Sequence, residues 1–161
     1  MLLKLSDSQV INHYSCMVYK LAFAKSGSKF DADDIFQEVF IRYIKKKPVF
    51  ESENHRKAWL IRVTINCSIT LLKNPFRKNT QKLDEQLEFR DKEILDLYNE
   101  LQNLPQKYRD VIHLFYYEQF SIQEISSILK RKPSTIRTQL TRARDMLKQF
   151  ISEEDYYEKL Q

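Results

Sequence analysis

The sequence predicts an all-α fold: two small helical domains joined by a linker, the C-terminal one containing a helix-turn-helix. Three observations carry that prediction. With one glycine and four prolines among 161 residues, the chain holds little of the turn chemistry that β-hairpins need. Apolar residues recur at spacings of three and four over long stretches, the period of an amphipathic helix. The run from Phe120 to Phe150 divides into two such helices around a short basic interruption.

Taken in order, Val10 to Ala24 is the first expected helix, with Val10, Tyr14, Met17, Val18, Leu21 and Ala22 on one stripe. A break at Ser26 to Phe30 contains the single glycine. Asp31 opens a second helix, where Asp33 and Asp34 complement the helix dipole and Ile35, Val39, Phe40 and Tyr43 form the apolar stripe. Lys45 to Lys47 and Pro48 end it, and the following PVFESENHRK stretch reads as a polar loop whose one large apolar residue, Phe50, has no evident partner. Trp59 to Lys73 makes a third helix, with Trp59, Leu60, Val63, Ile65, Ile69 and Leu72 over a wide face and Arg62, Asn66 and Lys73 free of it. The weakly periodic segment after Lys78 marks a linker over 79–90, dividing a domain over 1–78 from one over 91–161 with an acidic C-terminal tail. A short helix from Ile94 leads to Leu104 and Pro105, and Pro105 starts the helix that packs Tyr108, Val111, Ile112 and Phe115 beneath the helix-turn-helix.

In the helix-turn-helix, Ser121 and Glu124 form a capping-box pattern ahead of the stripe Ile122, Ile125, Ile128 and Leu129. Lys130, Arg131 and Lys132 interrupt it. Pro133 suits the first turn of a new helix, whose N–H groups have no partner within the helix. Ile136, Leu140, Ala143 and Leu147 then fall on one side and should bury against the first helix. Ser134, Thr135, Thr138, Thr141 and Arg142 point away from the core, flanked by Arg137 and Arg144. Hydroxyls and guanidinium groups on a free helix face can meet base edges and phosphates in a major groove, which makes duplex DNA the first partner to consider. A solvated amphipathic helix pair would show the same pattern.

Charge is distributed in blocks. Residues 45–82 hold ten Lys and Arg against two acidic residues, and residues 121–150 hold seven against two, whereas residues 83–120 hold four against nine. Two basic zones separated by an acidic spacer suggest contact with one duplex at two places, or with DNA and a second partner. Cys16 and Cys67 are far apart and form no C-x-x-C pair, and His13, His55 and His113 are scattered, so neither a metal site nor a disulfide framework is expected. The chain shows no catalytic constellation and no cofactor motif. No stretch approaches the roughly 18 apolar residues of a membrane span, and the N-terminus has no signal-peptide pattern. The expectation is a soluble, non-enzymatic protein of a reducing cytoplasm, without a membrane partner.

Four segments together resemble the bacterial sigma factors of the sigma-70 superfamily, in their compact extracytoplasmic-function (ECF) form. Asp31 to Phe40 is close to that family's DAEDLVQEVF signature, and Ala58 to Asn66 is close to AWLYRIARN. Leu104-Pro105, Tyr108-Arg109 and Val111 match LPxxxRxV, and the helix-turn-helix matches through Glu124-Ile125, Thr135-Ile136 and Arg142-Ala143-Arg144 to Leu147. The motifs lie in the family's order at the family's spacing. The resemblance implies binding to core RNA polymerase, through the beta-prime coiled coil and the beta flap, and direction of transcription initiation from promoters. It makes Asp34, Gln37, Glu38 and Arg42 candidate polymerase contacts. It assigns Arg56, Lys57, Trp59, Arg62, Asn66, Lys73, Arg77 and Lys78 to a zone that holds the melted minus-10 strand, with the loop from Phe50 to His55 as a pocket. Trp59 and Phe50 each keep a second reading as core, favoured for Phe50. It assigns Ser134, Thr135, Arg137, Thr138, Thr141, Arg142 and Arg144, with Lys130, Arg131 and Lys132 of the turn, to the double-stranded minus-35 element. A cytoplasmic bacterial location, a monomer when free and an anti-sigma partner are also implied.

The chain departs from the family pattern at the turn. Lys130 stands at the usual glycine, Arg131 at an apolar position and Lys132 at the usual Ser or Thr cap, while Thr70 and Lys73 replace a common Asp and Arg. Two other functional classes remain open on the residues alone. An autonomous helix-turn-helix regulator would be a dimer on a palindromic site. A pure interaction protein with basic faces would be indifferent to DNA sequence.

Overall fold

The computed structural model describes residues 4–74, 99 and 101–150, and every regular element among them is helical. The chain divides into two compact units, residues 1–98 and 99–161.

The first unit packs α1 (Asp7–Ser26), α2 (Lys29–Lys46) and α3 (Glu53–Leu72), each touching the other two. Serines set all three starts. Ser6 forms a capping box with Gln9, while the Ser28 and Ser52 hydroxyls accept the amides of Asp31 and His55. Gly27 stops α1 at φ 67°, a left-handed conformation that costs glycine no Cβ clash, and its N–H returns to the Phe23 carbonyl. Val10, Tyr14, Val18 and Ala22 of α1 meet Ala32, Ile35, Val39, Phe40 and Tyr43 of α2 and Leu60 and Cys67 of α3 in one apolar cluster. Two adjacent rows of α3 are buried: Leu60, Thr64, Cys67 and Ile61, Ile65, Ser68. The hydroxyls of Thr64 and Ser68 donate to the carbonyls one turn back, Leu60 and Thr64, both at 2.7 Å, which allows two polar side chains inside the core.

This helix departs from the sequence expectation at its start and in its buried face, while its end, with Lys73 as the C-cap, is as expected. It begins at Glu53, six residues before Trp59, because Ser52 caps it and a polar first turn needs no apolar stripe. Ile69 lies off both buried rows and is 38% exposed, whereas Ile61, left out of the expected stripe, is fully buried.

In the second unit α4 (Gln106–Ile112) runs into a π-helical turn at His113–Tyr117, followed by α5 (Ile122–Leu129) and α6 (Pro133–Phe150). Helices α4 and α5 both pack on α6. The core contains Leu101, Leu104, Tyr108, Val111, Ile112, Leu114, Phe120, Ile125, Ile128, Ile136, Leu140 and Ala143. Arg109 secures the entry to α4 by donating to the carbonyls of Leu104 (2.6 Å) and Gln102 (3.3 Å). The π turn, closed by the Glu118 amide on the His113 carbonyl, adds a residue to the helical repeat. It buries His113 and Leu114 and leaves Phe115, expected in the stripe, half-buried. The capping box at Ser121 and Glu124 forms as its spacing predicts.

Candidate nucleic-acid and polymerase interfaces

In the first unit α2 and the C-terminal half of α3 border a cleft of about 480 Å³. Asp34, Gln37, Glu38, Ile41 and Arg42 line it from α2, and Cys67, Thr70 and Leu71 from α3, so the four candidate polymerase contacts stand together on one wall. Their spacing lets Glu38 accept from Arg42 Nε at 2.9 Å. That hydrogen bond, ahead of any charge effect, holds the guanidinium above its ordinary pKa. Burial pushes the Cys67 thiol up, which keeps it protonated and poorly reactive.

The candidate minus-10 residues on α3 and at its C-cap are placed unequally. Asn66 and Lys73 are exposed, Lys57, Trp59 and Arg62 are half-buried, and Arg56 is buried. Arg77 and Lys78 lie outside the described residues, as do the expected linker and acidic tail. Arg56 is held inside by its neighbours. Its Nη2 lies 3.6 Å from Glu53 Oε1, and its guanidinium covers the Phe50 ring at 5.3 Å. Glu53 in turn accepts the Tyr14 hydroxyl through Oε2 at 2.6 Å, tying the first turn of α3 to α1. Burial, and then this bond to a carboxylate, raises the Tyr14 pKa well above the ordinary phenol value.

Phe50 has partners that its sequence neighbourhood does not reveal. Its ring is parallel to Tyr43 at 6.4 Å and meets Trp59 and His55 edge-on at 5.9 and 5.3 Å. Trp59 also contacts Tyr43 and packs against the apolar cluster. The Glu51 amide donates to His55 Nδ1 at 3.3 Å. The segment expected as a pocket, Phe50 to His55, is thus part loop and part first turn of α3, while Val49 beside it is 91% exposed.

In the second unit Lys130 takes the left-handed conformation of a glycine cap, at φ 55° and ψ 47°. The amides of Lys130 and Arg131 both return to the Ser126 carbonyl, and the Ser126 hydroxyl donates to the Arg131 carbonyl. A lysine therefore completes the turn that the family builds with glycine. Arg131 folds inward and donates through Nη1 to the Lys107 carbonyl (3.1 Å) and Gln139 Oε1 (3.0 Å), leaving Lys130 and Lys132 exposed. On α6, Ile136, Leu140 and Ala143 are buried and Leu147 is half-buried. Ser134, Thr135, Arg137, Thr138, Thr141, Arg142 and Arg144 are all exposed. Arg144 nevertheless has a fixed seat: its Nε donates to the Tyr116 hydroxyl, and its guanidinium lies over the Phe115 and Tyr116 rings. Tyr14, Glu53, Gln139 and Tyr116 were not legible as site residues, because their partners come from distant parts of the chain.

Residues 10–75 match the family model described as Sigma-70 region 2, and residues 86–147 match Sigma-70, region 4. The chain is 26% identical over 160 residues to the ECF RNA polymerase sigma factor SigE of Mycolicibacterium smegmatis, with 91% of this chain aligned. It spans 62% of that relative's length. It is 27% identical over 143 residues to the RNA polymerase sigma factor SigV of Bacillus subtilis, covering 85% of this chain and 86% of the relative. In fold it is similar to the sigma factor RpoE of Bartonella quintana, solved in complex with the anti-sigma factor NepR. That superposition has a TM-score of 0.71 and 20% identity, and covers 88% of this chain and 94% of the other.

Proposed function

The chain belongs to the sigma-70 family as a factor of the ECF type, and from that premise we propose that it binds core RNA polymerase and directs promoter-specific initiation. The first unit, taken as residues 1–78, docks on the polymerase through Asp34, Gln37, Glu38 and Arg42. It also holds the minus-10 element through the exposed and half-buried basic residues of α3 and the segment before it. Melting exposes bases on a strand whose phosphates are already accessible, and a basic surface beside aromatic rings suits both. The second unit reads the minus-35 duplex through α6. Sigma factors are initiation factors rather than enzymes, and in this reading the polymerase supplies the catalysis. No described helix is long and apolar enough to cross a membrane, and the proposed site of action is the bacterial cytoplasm. A monomeric free state and restraint by an anti-sigma protein, the class of partner seen with RpoE, belong to the same proposal.

The observation that carries this reading is the order of two family segments, region 2 over residues 10–75 of the first unit and region 4 over residues 86–147, which takes in most of the second. The first unit pairs a cleft walled in part by Asp34, Gln37, Glu38 and Arg42 with a helix that carries Arg56, Lys57 and Arg62, and the second exposes seven polar residues on one helix of a helix-turn-helix. The test is binding of the full chain to purified bacterial core polymerase. A Gln37→Ala, Glu38→Ala variant should lose at least tenfold in affinity while its circular dichroism stays unchanged. Undiminished binding would remove the docking assignment, and a stable dimer bound to palindromic DNA without polymerase would replace the whole reading with that of an autonomous regulator.

A further inference from the structure

The helix-turn-helix carries four guanidinium groups, and their surroundings fall into two classes. Arg131 is engaged by Lys107 and Gln139, and Arg144 by Tyr116 and Phe115. Arg137 and Arg142 are exposed and make no side-chain bond with any described residue. Between them stand two threonines whose hydroxyl protons are already committed. Thr138 Oγ1 donates to the Ser134 carbonyl and Thr141 Oγ1 to the Arg137 carbonyl, both at 3.0 Å. A hydroxyl has one proton to give, so each threonine turns outward only lone pairs and a methyl group. At 3.6 residues per turn, Arg137, Thr138, Thr141 and Arg142 span an arc of about 140° on one side of α6.

We infer that this face divides base recognition by chemistry. Arg137 and Arg142 supply donors to acceptor edges, guanine O6 and N7 above all. Thr138 and Thr141 accept from an amino donor, adenine N6 or cytosine N4, or pack on the thymine methyl. Arg131 and Arg144 read no base and are positioning residues that fix α6 against the turn and against the π-helical segment. This inference rests on the reading of the second unit as a minus-35 duplex reader. It adds which side chain takes which edge.

The experiment uses holoenzyme assembled from core polymerase and the full chain, on a promoter pool randomised across the minus-35 region, with bound DNA sequenced. The preferred sequence is then rebuilt with 7-deazaguanine, which lacks N7, or with uracil, which lacks the thymine methyl. Arg137→Ala and Arg142→Ala should each relax preference at one guanine by about 5- to 150-fold and abolish the effect of 7-deazaguanine there. Thr138→Val or Thr141→Val, which keeps a methyl and removes the oxygen, should relax preference only where adenine or cytosine is selected. The corresponding serine variants, which keep the oxygen, should relax it only where uracil weakens binding. Arg144→Ala should lower affinity evenly across the pool, and Tyr116→Phe should add little to it, as expected for one coupled contact. A threonine variant that changes the response to 7-deazaguanine, or an Arg144 variant that alters preference at a single base pair, would overturn the division of roles. A pool bound without any preference by the unaltered chain would instead remove the minus-35 reading itself.

Discussion

Replacing Tyr14 by phenylalanine removes one oxygen from the best-defined polar contact of the first unit. The hydroxyl donates to Glu53 Oε2 at 2.6 Å from a side chain that is 5% exposed, while Arg56 Nη2 stands 3.6 Å from the other carboxylate oxygen. A hydrogen bond to a charged partner contributes about 1.5–3 kcal/mol. The Glu53 side chain is 45% exposed and can recover water, which places the expected loss near the lower bound, at about 1.5 kcal/mol. For a unit of this size that corresponds to a fall of roughly 6–12 °C in melting temperature. The contact also has a pH signature. The Tyr14 pKa is raised above its ordinary value near 10, first by burial and then by Glu53. Below about pH 10 the hydroxyl is protonated in both folded and unfolded chains, and its contribution is constant. As pH rises further the unfolded chain ionises first, and stability falls. Tyr14→Phe should therefore reduce the alkaline loss of stability, with the remainder arising from Tyr19, Tyr43 and Cys67, whose groups burial also raises. Urea unfolding at pH 8 and pH 10.5, followed by circular dichroism, measures both effects. A variant as stable as the parent at pH 8, with the same alkaline slope, would refute the assignment of Tyr14 and Glu53 as a stabilising clasp.

Three further outcomes follow from the second unit. Lys130→Gly should stabilise it by about 0.5–1 kcal/mol, since the left-handed conformation is strained for lysine and the gain exceeds the added entropy of the unfolded glycine; a lower urea midpoint would contradict this. Arg109→Met should cost about 1–3 kcal/mol by removing donors from the Leu104 and Gln102 carbonyls, and an unchanged midpoint would show those carbonyls to be satisfied otherwise. Lys132→Ala should weaken DNA binding evenly across sequences and lower the salt slope by about one. Loss confined to one sequence would mark Lys132 as a base contact instead.

Where structure follows from contacts within a few residues, it was legible in the sequence. The capping box at Ser121 and Glu124, the stripe of Ile136, Leu140 and Ala143, and the exposed side of α6 all depend on helical spacing alone. Phe50 was not legible to the same degree, because Tyr43, His55 and Trp59 reach its ring from either side of the loop and only folding brings them together. The start of α3 was missed because capping by Ser52 operates without an apolar residue in the first turn. The π turn at His113 changes the helical repeat itself, so a stripe counted at ordinary spacing placed Phe115 too deep. At the candidate sites, one helix sufficed to group Asp34, Gln37, Glu38 and Arg42. Formal charge gave no means of separating Arg131 and Arg144, which are engaged within the unit, from Arg137 and Arg142, which are not.

Run-off transcription with purified core polymerase, on genomic fragments that include the region upstream of the chain's own gene, tests the central claim most directly. New transcripts with defined start sites should appear when the full chain is added, and should disappear with the Gln37→Ala, Glu38→Ala variant. Absence of any new transcript from a chain that binds the polymerase and DNA would contradict the account.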